Sequence, residues 1–369
     1  MKYREFKLER YFARYEFSVR YLLSPSDCES LSMNELLELA DAECLDLWHN
    51  LKLGYTESPG HPLLRQEAAR FYEKLSPEEI LITNPEEGIF MAMQSLLQEG
   101  DEVIALEPAY QSLQEIPRAL GCRVVGWPLI VRQGSWELDL DFLAEALTPR
   151  TRMVIINFPH NPTGYLPDRE IFRELLALVE ERGLYLFSDE IYRLLEHDPE
   201  RRLPTAADCY DRAISLGGLS KSFGLPGLRI GWLATRDKVA MSKFAVMKDY
   251  TSICSSAPSE ILAIIALRNK EKISGAKLAL VLENLRLARD FFGSRAMFQW
   301  LEPRAGSTAF PRLMAEQPVE QFCRELVEQK NVMLLPGDVF DFPGNHFRVG
   351  LGRKNFAEGL ALLEQFIGG

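Results

Sequence analysis

The chain has 369 residues, enough for two domains and a large core. Its 47% hydrophobic content is that of a soluble globular protein, and no apolar run reaches the roughly 18 residues of a membrane span. The formal net charge of -11 argues against a nucleic-acid partner and against an anionic membrane surface. The first ten residues are charged and lack an apolar signal core, so a cytoplasmic protein is expected. The cysteines (Cys28, Cys44, Cys122, Cys209, Cys254, Cys323) are scattered without a C-x-x-C pair. Reduced thiols are expected, with neither a zinc site nor a redox motif. The histidines show no metal-ligand spacing, so no metal is expected.

Residues 8–15 alternate charge and aromatics at near-helical spacing. Ser24 to Glu29 reads as a turn, and residues 32–48 read as one amphipathic helix. A helix is expected over 62–75. From residue 80 short β-rich runs alternate with longer helical ones. Strands are expected at 80–83, 102–106, 123–127, 153–158, 184–188, 213–216 and 229–234. Helices are expected between them at 88–97, 110–120, 142–147 and 169–182. Such alternation predicts an α/β fold with a mostly parallel sheet covered by helices on both faces. Beyond Lys248 the texture changes. Residues 255–292 read as a long helical stretch with an interruption, and 306–312, 331–335 and 346–352 as strands. A closing helix falls at 356–366. These make a smaller α+β domain with the N-terminal segment. The expected division is 50–250 for the large domain, and 1–49 together with 251–369 for the small one.

The chemistry concentrates at three places just past strand ends, where α/β sheets bind ligands. They are Asn161-Pro162-Thr163-Gly164, Ser188-Asp189-Glu190-Ile191-Tyr192, and Ser220-Lys221-Ser222-Phe223-Gly224 with Arg229 eight residues after the lysine. A lysine ε-amine forms Schiff bases with carbonyls once burial or a neighbouring cation lowers its pKa. Taken singly, each residue also has a plain structural reading: a solvated lysine, a helix-capping Asp, a core Tyr, a turn Asn. Together, in this order, they resemble the signature set of the aspartate-aminotransferase-like enzymes, the fold-type I family that uses pyridoxal 5'-phosphate. The resemblance covers residues 50–369.

That resemblance implies a role for each matching residue. Lys221 forms the Schiff base and then moves a proton at the substrate α-carbon. Asp189 faces the pyridine nitrogen, Asn161 and Tyr192 hydrogen-bond the ring oxygen, and Tyr110 stacks on the ring. Arg229 and Ser220 hold the phosphate, and Arg348 grips the substrate carboxylate bidentately. Tyr55 matches a tyrosine that crosses a homodimer interface to the neighbouring subunit's phosphate. Two departures stand out. Gly218 replaces the usual Ser or Thr. Asn84-Pro85-Glu86-Glu87 replaces a small-residue phosphate turn, with Glu86 and Glu87 as cofactor-binding candidates. Either those acids turn outward, or Arg229, Ser220 and Tyr55 carry the phosphate.

The first functional reading is an aminotransferase acting on an L-α-amino acid and a 2-oxo acid. The second is β- or γ-elimination with ring closure. The Leu8-Glu9-Arg10-Tyr11-Phe12 stretch and overall layout resemble capreomycidine synthase-like enzymes, which dehydrate and cyclise a hydroxyarginine. A guanidinium substrate would give Glu9, Asp27 and Glu29 a partner. Other classes fit worse. A P-loop needs Gly where Ser220 stands, a Ser-x-x-Lys acylase needs Ser at Gly218, and Gly224, Gly227 and Gly231 have the wrong spacing for a dinucleotide fingerprint. A non-catalytic regulator that binds the same cofactor would need room for a DNA-binding domain.

Overall fold

The computed structural model describes residues 2–368. Its centre is a seven-stranded sheet. The strands are β1 (Ile80–Thr83), β2 (Glu102–Glu107), β3 (Arg123–Pro128), β4 (Thr151–Asn157), β5 (Tyr185–Asp189), β6 (Ala213–Gly218) and β7 (Gly231–Ala234). Their spatial order is β1-β7-β6-β5-β4-β2-β3. Only β7 runs antiparallel to its neighbours. The central strands β5 and β6 are buried along their whole length, which is why they read as near-continuous apolar runs.

Register sets the site. Asn157 pairs with Asp189, and Asp189 pairs with Leu216, so the carboxyl ends of β4, β5 and β6 lie side by side. The loops that follow carry Asn161, Tyr192 and Lys221 to one edge of the sheet.

Three helices border that edge: α1 (Lys7–Tyr15), α2 (Pro85–Leu96) and α3 (Ser112–Ala119). Leu8 and Phe12 of α1 are buried in a core shared with Ile104, Trp127, Met333 and Leu335. Tyr21–Leu22 pairs in parallel with Val332–Met333, tying the N-terminal segment to the C-terminal region. There, Lys270–Gly293, Val319–Lys330, Phe356–Ile367 and the strand Phe347–Gly350 enclose a second apolar cluster around Phe292, Phe298 and Phe347.

Several boundaries differ from expectation. The stretch 32–48 forms two helices, Met33–Leu37 and Ala42–His49, because Asp41 caps the second by accepting from the Cys44 N–H at 2.8 Å. Helix α2 starts at Pro85, not Gly88. Proline suits a first helical position, and Asn84 caps it. Strand β7 starts at Gly231, because Arg229 has φ 55° in the left-handed region. The helix expected over 62–75 stops at Ala69. The interruption expected within 255–292 falls at Asn269. Helix Ala257–Arg268 shares its core with β1 and β7, not with the C-terminal cluster. A helix at Lys238–Asp249 and a short hairpin at Ile130–Arg132 and Ser135–Glu137 went unread in the sequence.

Candidate active site

A cavity of about 430 Å³ opens at the carboxyl edge of β4 to β6. Lys221, Asp189, Asn161, Tyr192, Tyr110, Ser220, Arg229, Arg348, Glu86, Glu9 and Asp27 all line it. Glu87 and Tyr55 do not.

Asp189 sits at the floor, 5% exposed. Its Oδ1 accepts from the Ile191 N–H at 3.1 Å. Burial pushes its carboxyl up to about 7, against the Ile191 bond and the Lys221 charge. Asn157 holds this corner: its Nδ2 donates to the Asp189 carbonyl at 2.9 Å, and its Oδ1 accepts from the Asn161 N–H at 2.8 Å.

The Lys221 Nζ lies 5.7 Å from the centre of the Tyr192 ring and donates to Ser26 Oγ at 2.9 Å. Arg348 is 2% exposed. Its Nη1 donates to Asn161 Oδ1 at 3.0 Å and its Nε to the Ser24 carbonyl at 2.9 Å. Burial lowers its pKa to about 10. An arginine this deep, with an edge facing a cavity, is set to receive a carboxylate. Tyr110 forms one wall. Phe6 packs on its ring at 5.2 Å, and its hydroxyl donates to Glu9 Oε1 at 3.2 Å.

The opposite end of the cavity is built from the first turn of α2, Ser220 and Arg229. The Arg229 Nη2 donates to Asn84 Oδ1 at 2.9 Å and Nη1 to the Pro226 carbonyl at 2.8 Å. Its left-handed backbone turns the side chain back toward α2. The two acids of this turn part ways. Glu87 leaves the cavity and accepts from Thr83 Oγ1 at 3.0 Å, from the Ser252 N–H at 3.1 Å and from Thr251 Oγ1. Glu86 stays, accepting from Ser112 Oγ.

The two departures from the expected phosphate turn are one packing solution. A Cβ added at Gly218 would lie 3.1 Å from Pro85 Cγ and 2.6 Å from Ile191 Cδ1. One added at Gly231 would lie 2.5 Å from the Gly217 carbonyl oxygen and 2.8 Å from the same Pro85 Cγ. Ile191 and, less closely, the proline ring fill the space that a Ser or Thr at 218 would need.

The sequence reading missed Ser26, which touches the lysine, and Glu16, which shares the cavity wall with Glu9. The spacing of seven residues from Glu9 was the available signal, since two helical turns return to the same face. Glu29, once paired with Asp27 as a candidate, lies outside the cavity and accepts from the Lys354 N–H at 3.2 Å. Among the described residues, no cluster of His, Cys, Asp and Glu is arranged to hold a metal, and no helix is long and apolar enough to cross a membrane.

Residues 31–358 match the family described as aminotransferase class I and II. The chain belongs to that family. It is 33% identical over 285 residues to the capreomycidine synthase of Streptomyces vinaceus, covering 76% of this chain and 72% of that one. It is 28% identical over 301 residues to an aspartate aminotransferase of Thermotoga maritima, covering 79% and 77%. Among solved structures, a PLP-dependent aminotransferase from Streptococcus suis superposes with a TM-score of 0.93 at 32% identity over 100% of this chain and 98% of that one. The PLP-dependent cyclase OrfR superposes with 0.90 at 31% over the same shares, 100% and 98%. This family member is a pyridoxal-phosphate enzyme.

The residues fit that cofactor. Asp189, buried with no ion pair among the described residues, suits a ring cation, the Lys221 amine faces the cavity, and Arg229 with Ser220 suits a phosphate.

Two outcomes are expected. The first concerns Gly218→Ala, which is predicted to cost about 1–3 kcal/mol by overpacking. Ile191→Val, which removes the clashing Cδ1, is predicted in the same chain to recover at least about 0.5 kcal/mol of that loss. Urea melts of the double-mutant cycle check this, and strict additivity would contradict it. The second concerns Asp189 in the cofactor-free protein. Its folded pKa is raised, so its stabilising neutral form is fully present below about pH 4 and is lost as pH rises through about 7. Cofactor-free Asp189→Asn should therefore gain about 2–4 kcal/mol over wild type at pH 8 and nothing at pH 4. Thermal melts at the two pH values decide it.

Proposed function

We propose that this aminotransferase-family enzyme acts on an L-α-amino acid whose side chain ends in a cation, with transamination to a 2-oxo acid as the first reading. The observation that carries the substrate class is the charge of the cavity. Among the described residues, the arginines lining it are Arg229, at the phosphate end, and Arg348, set for the α-carboxylate. Among those residues no third arginine lines it to meet a side-chain carboxylate, whereas Glu9, Glu16 and Asp27 do line it. Asp27 is already matched by Arg353, whose Nη2 reaches both its oxygens at 3.1 Å. Glu9 and Glu16 remain to meet a cation. Burial, with Asp27 and Glu9 nearby, raises the Glu16 carboxyl, which a guanidinium or ammonium would reverse.

The cofactor supplies an electron sink for the carbanion at the substrate α-carbon. The chain supplies the rest. Arg348 binds the α-carboxylate and orients the α-carbon toward Lys221. Lys221 Nζ takes the α-proton and returns it, and Ser26 Oγ holds the freed amine in place. Asp189, once ionised, would hold the cofactor's ring nitrogen protonated. Tyr192 and Asn161 would hydrogen-bond the ring oxygen, and Tyr110 would pack on the ring.

A second reading, elimination and ring closure on a hydroxyarginine-type substrate, is favoured by the same acids and by the likeness to capreomycidine synthase and OrfR. Both readings include a cytoplasmic homodimer. Leu53, Tyr55 and Tyr250 are 86%, 89% and 84% exposed, an apolar and aromatic patch suited to a second copy. Tyr55, outside its own cavity, would reach the partner's phosphate.

A panel of single amino acids titrated without an oxo-acid acceptor tests this reading. Arginine-like and lysine-like substrates should exceed aspartate at least about 100-fold in half-reaction rate per concentration. Bleaching of the yellow cofactor with release of an oxo acid selects transamination. Retained yellow colour with loss of water from a hydroxylated substrate selects the second reading. A preference for aspartate would overturn the substrate class. Glu16→Gln should lower kcat/KM for cationic substrates by about tenfold, some 1.4 kcal/mol, and leave neutral ones unchanged. Light scattering should give twice the chain mass, with Tyr55→Phe still dimeric but weaker in holding the cofactor.

A further inference from the structure

The first turn of α2 poses an electrostatic problem. It lies at the end of β1, beside Arg229 and Ser220, where an anion would sit on a helix N-terminus. One of its N–H groups is gone, because residue 85 is proline. A second, on Glu86, already donates to Asn84 Oδ1 at 3.2 Å. Glu87 resolves its own conflict by turning to Thr83, Thr251 and Ser252. Glu86 does not, and its carboxyl group lines the cavity, fixed by Ser112 at the start of α3. An ionised carboxylate there would repel a phosphate dianion across a site shielded from water.

Resting on the pyridoxal-phosphate reading of this cavity, we propose that Glu86 enters the cofactor complex as a neutral acid, its carboxyl O–H donating toward the phosphate, so that cofactor binding is coupled to proton uptake. The donor lost at Pro85 is thereby replaced by a side-chain donor. No bond between heavy atoms changes. When the site starts ionised, one proton passes from solvent to Glu86 and forms its carboxyl O–H bond.

The surroundings favour this state. Glu9 faces Glu86 from α1, Tyr110 and Ser112 from α3 and its approach, and Asp189 from the end of β5. Arg229 faces it from the turn before β7, and Lys221 lines the same cavity. Burial foremost, then Glu9, raises the Glu86 carboxyl, while the Ser112 bond and Arg229 lower it, with a net rise. Glu87, the other acid of this turn, points away.

The probe is pyridoxamine 5'-phosphate, which carries the ring and phosphate but forms no Schiff base with a lysine. It is titrated into cofactor-free wild type and Glu86→Gln from pH 6 to pH 9. Calorimetry at pH 8, in buffers of different ionisation enthalpy, should show close to one more proton taken up by wild type than by Glu86→Gln. The wild-type affinity should fall relative to the variant by up to about tenfold per pH unit, so that the variant binds more tightly at pH 9. Equal proton counts with parallel affinity profiles would overturn the proposal, as would weaker binding by the variant at every pH. If the variant does not fold, the infrared difference spectrum of wild type carrying isotope-labelled glutamate decides. A protonated glutamate carbonyl band in the complex at pH 8 supports the proposal, and its absence overturns it. If folded wild type binds no probe at any pH, the cofactor reading falls and this inference with it.

Discussion

A carboxylate held out of water at the carboxyl edge of a parallel sheet is the constraint on which the site is built. Asp189 ends β5, paired with Asn157 on one side and Leu216 on the other. No ordinary folding argument favours an acid there, since burial raises its pKa to about 7. The position makes sense when a ring cation completes it. Strand register then does the remaining placement. Asn157 ties Asp189 to Asn161, Asn161 ties to Arg348, and Arg348 ties to the Ser24 carbonyl. A single chain of hydrogen bonds thus runs from the sheet floor to the N-terminal segment that covers the cavity.

The cover gives the cavity its acidic wall. Helix α1 contributes Glu9 and, one residue past its end, Glu16, while the turn after Tyr21–Leu22 contributes Ser26 and Asp27. The same acids would repel a dicarboxylic substrate and welcome a cationic one, a matter of Coulomb energy in a partly desolvated cavity. At the far end, Pro85 and Ile191 pack against Gly218, and Pro85 and the Gly217 carbonyl against Gly231. Proline at 85 leaves the first turn of α2 one backbone donor short, and Glu86 of the same turn lines the cavity.

Much of this was legible in the sequence because the chemistry sits in short contiguous motifs. Asn161, Asp189 and Lys221 could be placed beside one another from strand-end positions, and the family resemblance of the motifs added Tyr192, Ser220 and Arg229. The sheet strands were equally plain, since buried parallel strands are apolar throughout. What stayed hidden depends on contacts distant in sequence. Ser26 meets Lys221 across 195 positions, and no local pattern marks it. Gly218 read as a missing hydroxyl, whereas Ile191 and Pro85, distant in sequence, fill its place. Glu86 and Glu87 are neighbours of one residue type, and only Ser112 on one side and Thr251 on the other send them to different environments. The short helices at 33–49 escaped because a cap at Asp41 outweighs the continuous amphipathic pattern.

The central claim is that Lys221 is the amine that holds the cofactor. Its most direct measurement is borohydride reduction of the purified yellow protein, followed by peptide mass analysis. The account predicts one reduced pyridoxyl phosphate adduct per chain, on the peptide containing Lys221 and nowhere else. A Lys221→Ala protein treated the same way should carry none. An adduct on a different lysine, or an unchanged adduct in Lys221→Ala, would contradict the assignment of the site.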